Sequence, residues 1–226
     1  MMITFKRPDG KDCSGFYVDP PGGNKAPALV VIQEWWGLND QIKGVANRLA
    51  AAGYRALVPD LYRGRVGLDA KEAEHLMNNL NFGDAATQDI RGAVLYLKQT
   101  ASKVAVSGFC MGGALTILAA MHAPEADAAI SWYGCPPLDY VDATKIKAPV
   151  MGHWSLEDAY FPIQQIEGLE QKLKQANVKY EFYRYNAKHA FANENNKDPD
   201  APIAYNASAA ETAWTRTLTF LKQHLG

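Results

Sequence analysis

What this chain lacks already narrows it. Its three cysteines, Cys13, Cys110 and Cys135, are odd in number and share no C-x-x-C spacing. They supply no disulfide framework, no zinc-ligand pattern and no thioredoxin-type redox pair. No apolar run approaches the roughly 20 residues that a bilayer-spanning helix requires, so no membrane partner is expected. An excess of one charge is missing too: 23 Lys and Arg stand against 24 Asp and Glu, a formal charge of −1. The basic footprint of a nucleic-acid binder is therefore absent. The opening MMITFKRPDGKDC carries charge at Lys6, Arg7 and Asp9, without the apolar stretch of a secretory signal. The expectation is a cytoplasmic protein, a monomer or small homo-oligomer, holding neither metal nor cofactor.

The composition that is present, 48% apolar and 21% charged with 18 glycines and 12 prolines, excludes a disordered tail or a collagen-like fibre. A chain of 226 residues buries roughly 70% of its unfolded surface and needs no covalent staple. Residues 3–7 and 15–19 pattern as strands joined by the Pro8-Asp9-Gly10-Lys11 turn, and Pro20-Pro21-Gly22-Gly23-Asn24 punctuates the chain. Continuous apolar runs at residues 28–33, 55–60, 103–109, 128–134 and 148–154 read as strands buried on both faces. Residues 179–185 form the last strand. Helical patterns fall at residues 40–52, 70–80, 87–98, 112–122 and from Pro162 to 175. A closing helix carries Trp214, Leu218, Leu221 and Leu225 on one face. Buried strands alternating with helices predict one α/β domain over residues 1–226, a mostly parallel sheet flanked by helices. No internal repeat and no dividing linker interrupts it. Ligands of such sheets sit at the carboxyl ends of the strands.

At one such end stands Ser107-Gly108-Phe109-Cys110-Met111-Gly112-Gly113, a G-x-S-x-G nucleophile elbow with cysteine in the serine place. Reversal from strand to helix crowds the neighbours, so Gly108 and Gly112 remove clashing Cβ atoms. The side chain at 110 then stands at a helix N-terminus, where free N–H groups favour a thiolate. The bland alternative is a small buried thiol in a Gly-rich turn; a phosphate cradle fits neither G-x-G-x-x-G nor a Walker A loop. A nucleophilic thiol needs a base, and the base an orienting carboxylate, in the chain order nucleophile, acid, histidine. Of five histidines, His189 just past a strand is the best base. His122 and His224 lie in last helical turns, where the helix dipole favours them, and His153 reads as packed within its strand. For the acid, Glu157 and Asp158 follow a strand, Asp158 being preferred; Asp60 competes but precedes the elbow. Glu34, at the end of a central strand, is a carboxyl whose pKa burial should raise.

Together QEWWGLN (33–39), VPDLY (58–62), GFCMGG (108–113), the Asp158-x-x-x-Pro162 spacing and HAFA (189–192) resemble the dienelactone hydrolase family of the α/β-hydrolase fold. The resemblance spans nearly the whole chain in order. It implies a triad of Cys110, His189 and Asp158, and an oxyanion hole made by the Met111 and Trp35 backbone N–H groups. It also implies a Glu34 that contacts the resting thiol and moves away when substrate binds. The family's archetype grips a substrate carboxylate with two arginines; the matching places here hold Asn193 and, by loose alignment, Lys71. Lysine does not grip a carboxylate bidentately. Trp35, Trp36, Phe109, Trp154, Tyr160, Phe161 and Phe191 are the aromatics expected near the pocket mouth. The expected partner is thus a small ester or lactone, with a neutral, aromatic or otherwise activated ester at least as fitting as the anionic dienelactone. Activated aryl phosphoesters are a conceivable side activity. Two rivals share the fold: a non-catalytic ligand-binding or sensory module, and a redox thiol partnered in space by Cys135.

Overall fold

The structure is a computed structural model that describes residues 1–23 and 25–226; of the predicted Pro20–Asn24 break, Asn24 lies outside the described residues. Eight strands form one sheet in the order β1-β2-β4-β3-β5-β6-β7-β8. A hairpin of β1 (Met2–Lys6) and β2 (Asp12–Val18) leads into β3 (Ala28–Ile32) and β4 (Arg55–Pro59). They are followed by β5 (Val104–Phe109), β6 (Ala128–Trp132), β7 (Val150–Glu157) and β8 (Tyr180–Lys188). β2 runs antiparallel to β4, and β3 to β8 are mutually parallel. Every residue of β3, β4, β5 and β6 is buried, the reason their sequence is mostly apolar rather than alternating.

Helices cover both faces. α1 (Asp40–Ala51) buries Ile42, Ala46 and Leu49 on one face, beside α7 (Ala207–Leu225). The Asn39 side chain caps α1 by accepting the Ile42 N–H at 3.1 Å. On the other face lie α2 (Ala70–Asn78), α4 (Arg91–Lys98), α5 (Met111–His122) and α6 (Ile163–Gln175). Among the described residues no helix is long and apolar enough to cross a membrane.

Four elements differ from the sequence patterns. The helix expected over 87–98 begins earlier, as a continuous segment of α3 (Phe82–Asp84), a π-helical stretch (Ala85–Ile90) and α4. Gly83 and Gly92 masked its periodicity. The π stretch turns Asp89 inward, where its carboxylate accepts from Arg7 at 3.1 Å and from Arg63 at 2.7 and 2.9 Å. Gly92 itself permits close approach to β1, since a Cβ there would stand 2.9 Å from the Lys6 carbonyl oxygen. Pro162 is the N-cap and not the first helical residue. β7 and β8 each run three residues past their expected ends, to Glu157 and Lys188, because they pair with each other through Glu157 and Lys188.

Backbone packing between β5 and α5 is very close: a Cβ on Gly108 would meet the Gly112 carbonyl oxygen at 2.1 Å. Gly108→Ala is therefore expected to destabilise the fold by about 3 kcal/mol or more, measured as a lowered urea midpoint.

Candidate active site

β5 ends at Phe109 and α5 starts at Met111, so Cys110 alone turns the chain. Its φ of 53° and ψ of −118° form a strained conformation worth about 1–3 kcal/mol. Surrounding contacts hold it there. A Cβ on Gly112 would lie 2.5 Å from the carbonyl oxygens of Ile32 and Gln33, and one on Gly134 would lie 1.8 Å from that of Cys110. The Cys110 N–H donates to the Trp132 carbonyl at 2.9 Å, tying the elbow to β6. Gly134 carried no signal in the sequence, because its partner is distant in the chain.

β7 and β8 pair through Glu157 and Lys188, so Asp158 and His189 leave adjacent strand ends side by side. His189 Nδ1 lies 2.8 Å from Asp158 Oδ2, and His189 Nε2 lies 3.1 Å from Cys110 Sγ. The other Asp158 oxygen accepts the backbone N–H groups of Tyr160 and Phe161, each at 2.9 Å. The His189 and Asp158 side chains are 4% and 2% exposed. Burial opposes a charge on His189, but the hydrogen bonds to Asp158 and Cys110 and their charges outweigh it, raising its pKa to about 10. The Cys13 and Cys135 thiols are pushed up to about 12, chiefly by burial.

The competing candidates have other duties. Asp60 accepts the N–H groups of Tyr62 and Gly64 in a turn, and Glu157 is exposed. His153 lies between the Tyr185 and Thr217 hydroxyls at 2.9 and 2.8 Å, its pKa lowered to about 3 by burial and then by Arg216. His224 packs on the Phe220 ring.

Glu34 departs from the arrangement the resemblance implies. It makes no hydrogen bond to Cys110; instead it accepts from Asn193 Nδ2 at 2.7 Å and from the Tyr133 hydroxyl at 3.3 Å. Burial raises its pKa against the opposing pull of Asn193, His189 and Tyr133. The following turn is closed by Gly37 N–H on the Glu34 carbonyl at 3.3 Å and anchored by Gly67 N–H on Trp36 O at 2.9 Å. Gly37 has a φ of +95°, which glycine accepts without strain.

A cavity of about 900 Å³ opens over Cys110. Glu34, Trp35, Trp36, Met111, Tyr160 and His189 line it. Five expected contacts do not. Lys71 is exposed on the first turn of α2, which presents Glu74 and Met77 to the cavity instead. Phe109 points to the opposite face of the sheet and stacks on Trp132, their centroids 5.1 Å apart. Phe191 is fully buried edge-on to Tyr133. Asn193 is buried and spends its amide on Glu34. Trp154 likewise packs in the core against Phe182. Sequence reasoning missed Tyr133, which takes φ of 40° and meets His189 edge-on at 5.4 Å. It also missed Met77, Phe82, Ala86, Ala114 and Leu118 in the cavity wall. Only the last two had a usable signal, the four-residue spacing after Cys110; the others come from helices packed over the site.

An elbow on a doubly covered parallel sheet, with histidine and aspartate on the neighbouring strand ends, defines an α/β hydrolase. Comparison makes this more specific: the dienelactone hydrolase family model matches residues 14–225, and the chain belongs to that family of hydrolases. It is 30% identical to "Protein usf" of Aquifex pyrophilus, over 99% of this chain and 98% of that one. It is 31% identical to the "Putative carboxymethylenebutenolidase" of Salmonella typhi, over 99% and 87% of the two chains. A solved dienelactone hydrolase-like promiscuous phosphotriesterase from metagenomic libraries superposes with a TM-score of 0.87 at 25% identity, covering 100% of this chain and 99% of the other.

The raised His189 pKa has a linkage consequence. The protonated ring stabilises the fold fully below its ordinary pKa of 6.5, and that contribution is lost as pH rises through about 10. NMR of the His189 ring is expected to titrate far above 6.5, near 10, and Asp158→Asn should lower that midpoint and flatten the alkaline loss of Tm.

Proposed function

We propose that the chain is a cysteine-dependent hydrolase of activated esters or lactones. The supporting observation is the unbroken relay Cys110–His189–Asp158, with contacts of 3.1 and 2.8 Å, beneath an apolar cavity. The Cys110 thiolate attacks the acyl carbon while His189 carries the proton on its ring. Asp158 Oδ2 holds Nδ1 and thereby aims Nε2 at the sulfur. The tetrahedral oxyanion is taken by the backbone N–H groups of Met111 and Trp35. Met111 opens α5, so its N–H is one that a helix leaves without an internal partner. Each such donor is worth about 3–4 kcal/mol toward the transition state. His189 protonates the departing oxygen as the C–O bond breaks and a thioester forms on Cys110. It then takes a proton from water, whose oxygen attacks the thioester and returns the thiol.

A thiolate suits good leaving groups: the tetrahedral intermediate must expel an alkoxide or enolate in preference to the sulfur. Lactones that open to enols and esters of acidic alcohols meet that condition. Glu34 stands beside the relay rather than in it; burial raises its pKa, which disfavours a second negative charge beside the thiolate and the oxyanion. Among the described residues no Lys or Arg lines the cavity, and its carboxylates are Glu34 and Glu74. Trp36 and Tyr160 offer aromatic surface instead, which favours neutral substrates over the anionic dienelactone. The phosphotriesterase named among the similar structures supports activated aryl phosphotriesters as a side activity, since the same hole accepts a tetrahedral P–O oxygen.

Intact mass after mixing with a p-nitrophenyl ester is expected to show a transient acyl adduct on Cys110. Cys110→Ala should lose both adduct and nitrophenol burst, with kcat/KM down by about 1,000-fold or more; equal turnover by that variant would return the chain to the ligand-binding reading. Neutral aryl esters should exceed their carboxylate-bearing counterparts in kcat/KM by about tenfold or more, the cost of an unpaired anion in an apolar site; the reverse order would point to an anionic substrate.

A further inference from the structure

The cavity does not end at the nucleophile. It continues along α5 past Ala114 and Leu118 to His122, positions that recur every four residues from Cys110 and so share one helix face. Twelve residues at 1.5 Å each make this trench about 18 Å long. Met77, Phe82, Ala86, Pro137 and Tyr140 also line it. That length is far more than a small bicyclic or monocyclic lactone fills. We infer that the trench is an acyl-chain site and that the substrates are esters of linear, uncharged acyl groups of medium length; this rests on Cys110 being the nucleophile.

Stereochemistry decides which arm of the ester lies there. The leaving oxygen must receive its proton from His189 Nε2, so the leaving group occupies the His189 side of Cys110, where Tyr160 and Ile203 border the cavity. The acyl substituent points away from His189, toward Ala114 and then Leu118. The small Ala114 leaves room beside the thioester, and the bulkier Leu118 supplies apolar contact farther along. Charge discriminates at the far end. Glu74 lines the wall and, among the described residues, no Lys or Arg does, so a terminal carboxylate meets no cation in the lining. Each methylene buried in such a trench raises kcat/KM by up to about fourfold.

The test is a series of p-nitrophenyl acetate, butanoate, hexanoate, octanoate and decanoate with the wild-type chain, Leu118→Trp, which fills the trench midway, and Met77→Trp, which fills it from α2. Thermal unfolding checks that each variant folds. In the wild type kcat/KM should rise with chain length by on the order of 100-fold from acetate to octanoate. In either variant the octanoate-to-acetate ratio should fall about tenfold or more, a ratio that general damage to the enzyme would leave unchanged. A flat or falling wild-type profile, or an unaltered ratio in both variants, overturns the acyl site. A second readout separates this from the fate of the nucleophile. Calorimetry of octanamide with Cys110→Ala should detect binding that Cys110→Ala/Leu118→Trp loses, whether or not an adduct forms on Cys110. Absence of that binding overturns the trench even if Cys110 is acylated.

Discussion

The backbone at Cys110 is the constraint on which the rest depends. A side-chain-bearing residue held at a φ of 53° survives only where its surroundings leave no other path, and three glycines on three different elements provide that. Gly108 is the penultimate residue of the strand, Gly112 lies in the first turn of the helix and Gly134 follows the neighbouring strand; a Cβ on any of them would collide with backbone at 2.5 Å or less. Strain at the elbow is thus balanced by close packing around it. The outcome is a thiol lifted clear of the sheet at the N-terminus of α5, aimed into the cavity rather than into the core.

Electrostatics follows from that placement. The other two thiols are buried among apolar groups and pushed up to about 12, which makes them poor nucleophiles. Cys110 differs by company: an imidazole 3.1 Å away, itself held by a carboxylate that two backbone N–H groups keep in place. Desolvation would normally strip the proton from a histidine as buried as His189, as it does for His153. His153 lies within β7 and His189 just past the end of β8, and they differ in their partners. Tyr185 and Thr217 offer neutral hydroxyls, whereas Asp158 and Cys110 offer negative charge. Buried charge persists where it is paired.

Glu34 shows how one changed neighbour alters a site. Where the archetype has an arginine after HAFA, this chain has Asn193, and its amide donates to Glu34. Together with Tyr133 it holds that carboxyl apart from the thiol, so the sulfur bonds to His189 in the free protein. Tryptophan, methionine and phenylalanine from several elements line the cavity.

Much of this was legible in the chain alone. The buried strands were visible as continuous apolar runs, because a strand covered on both faces has no polar side to alternate with. The elbow was visible because glycine spacing and a strand-to-helix switch are local, and Cys110, Asp158 and His189 could be placed at strand ends in order. Local patterns also missed things for local reasons: Gly83 and Gly92 hid the start of the helix carrying the π stretch, and the polar ends of β7 and β8 hid their extension. What only tertiary structure decided was everything that depends on residues far apart meeting. Gly134 against Cys110, Asn193 and Tyr133 on Glu34, and α2 and the π-helical segment closing the cavity all arise from packing between elements. For the same reason Phe109 and Phe191, aromatic and near the motifs, went to the core, and Lys71 to solvent. Sequence sets which residues stand at each strand end, since that follows from periodicity and turn chemistry over a few residues. Which side chains face one another across the site is set by how sheet and helices close on it, a balance of burial and sterics that no short stretch of chain contains.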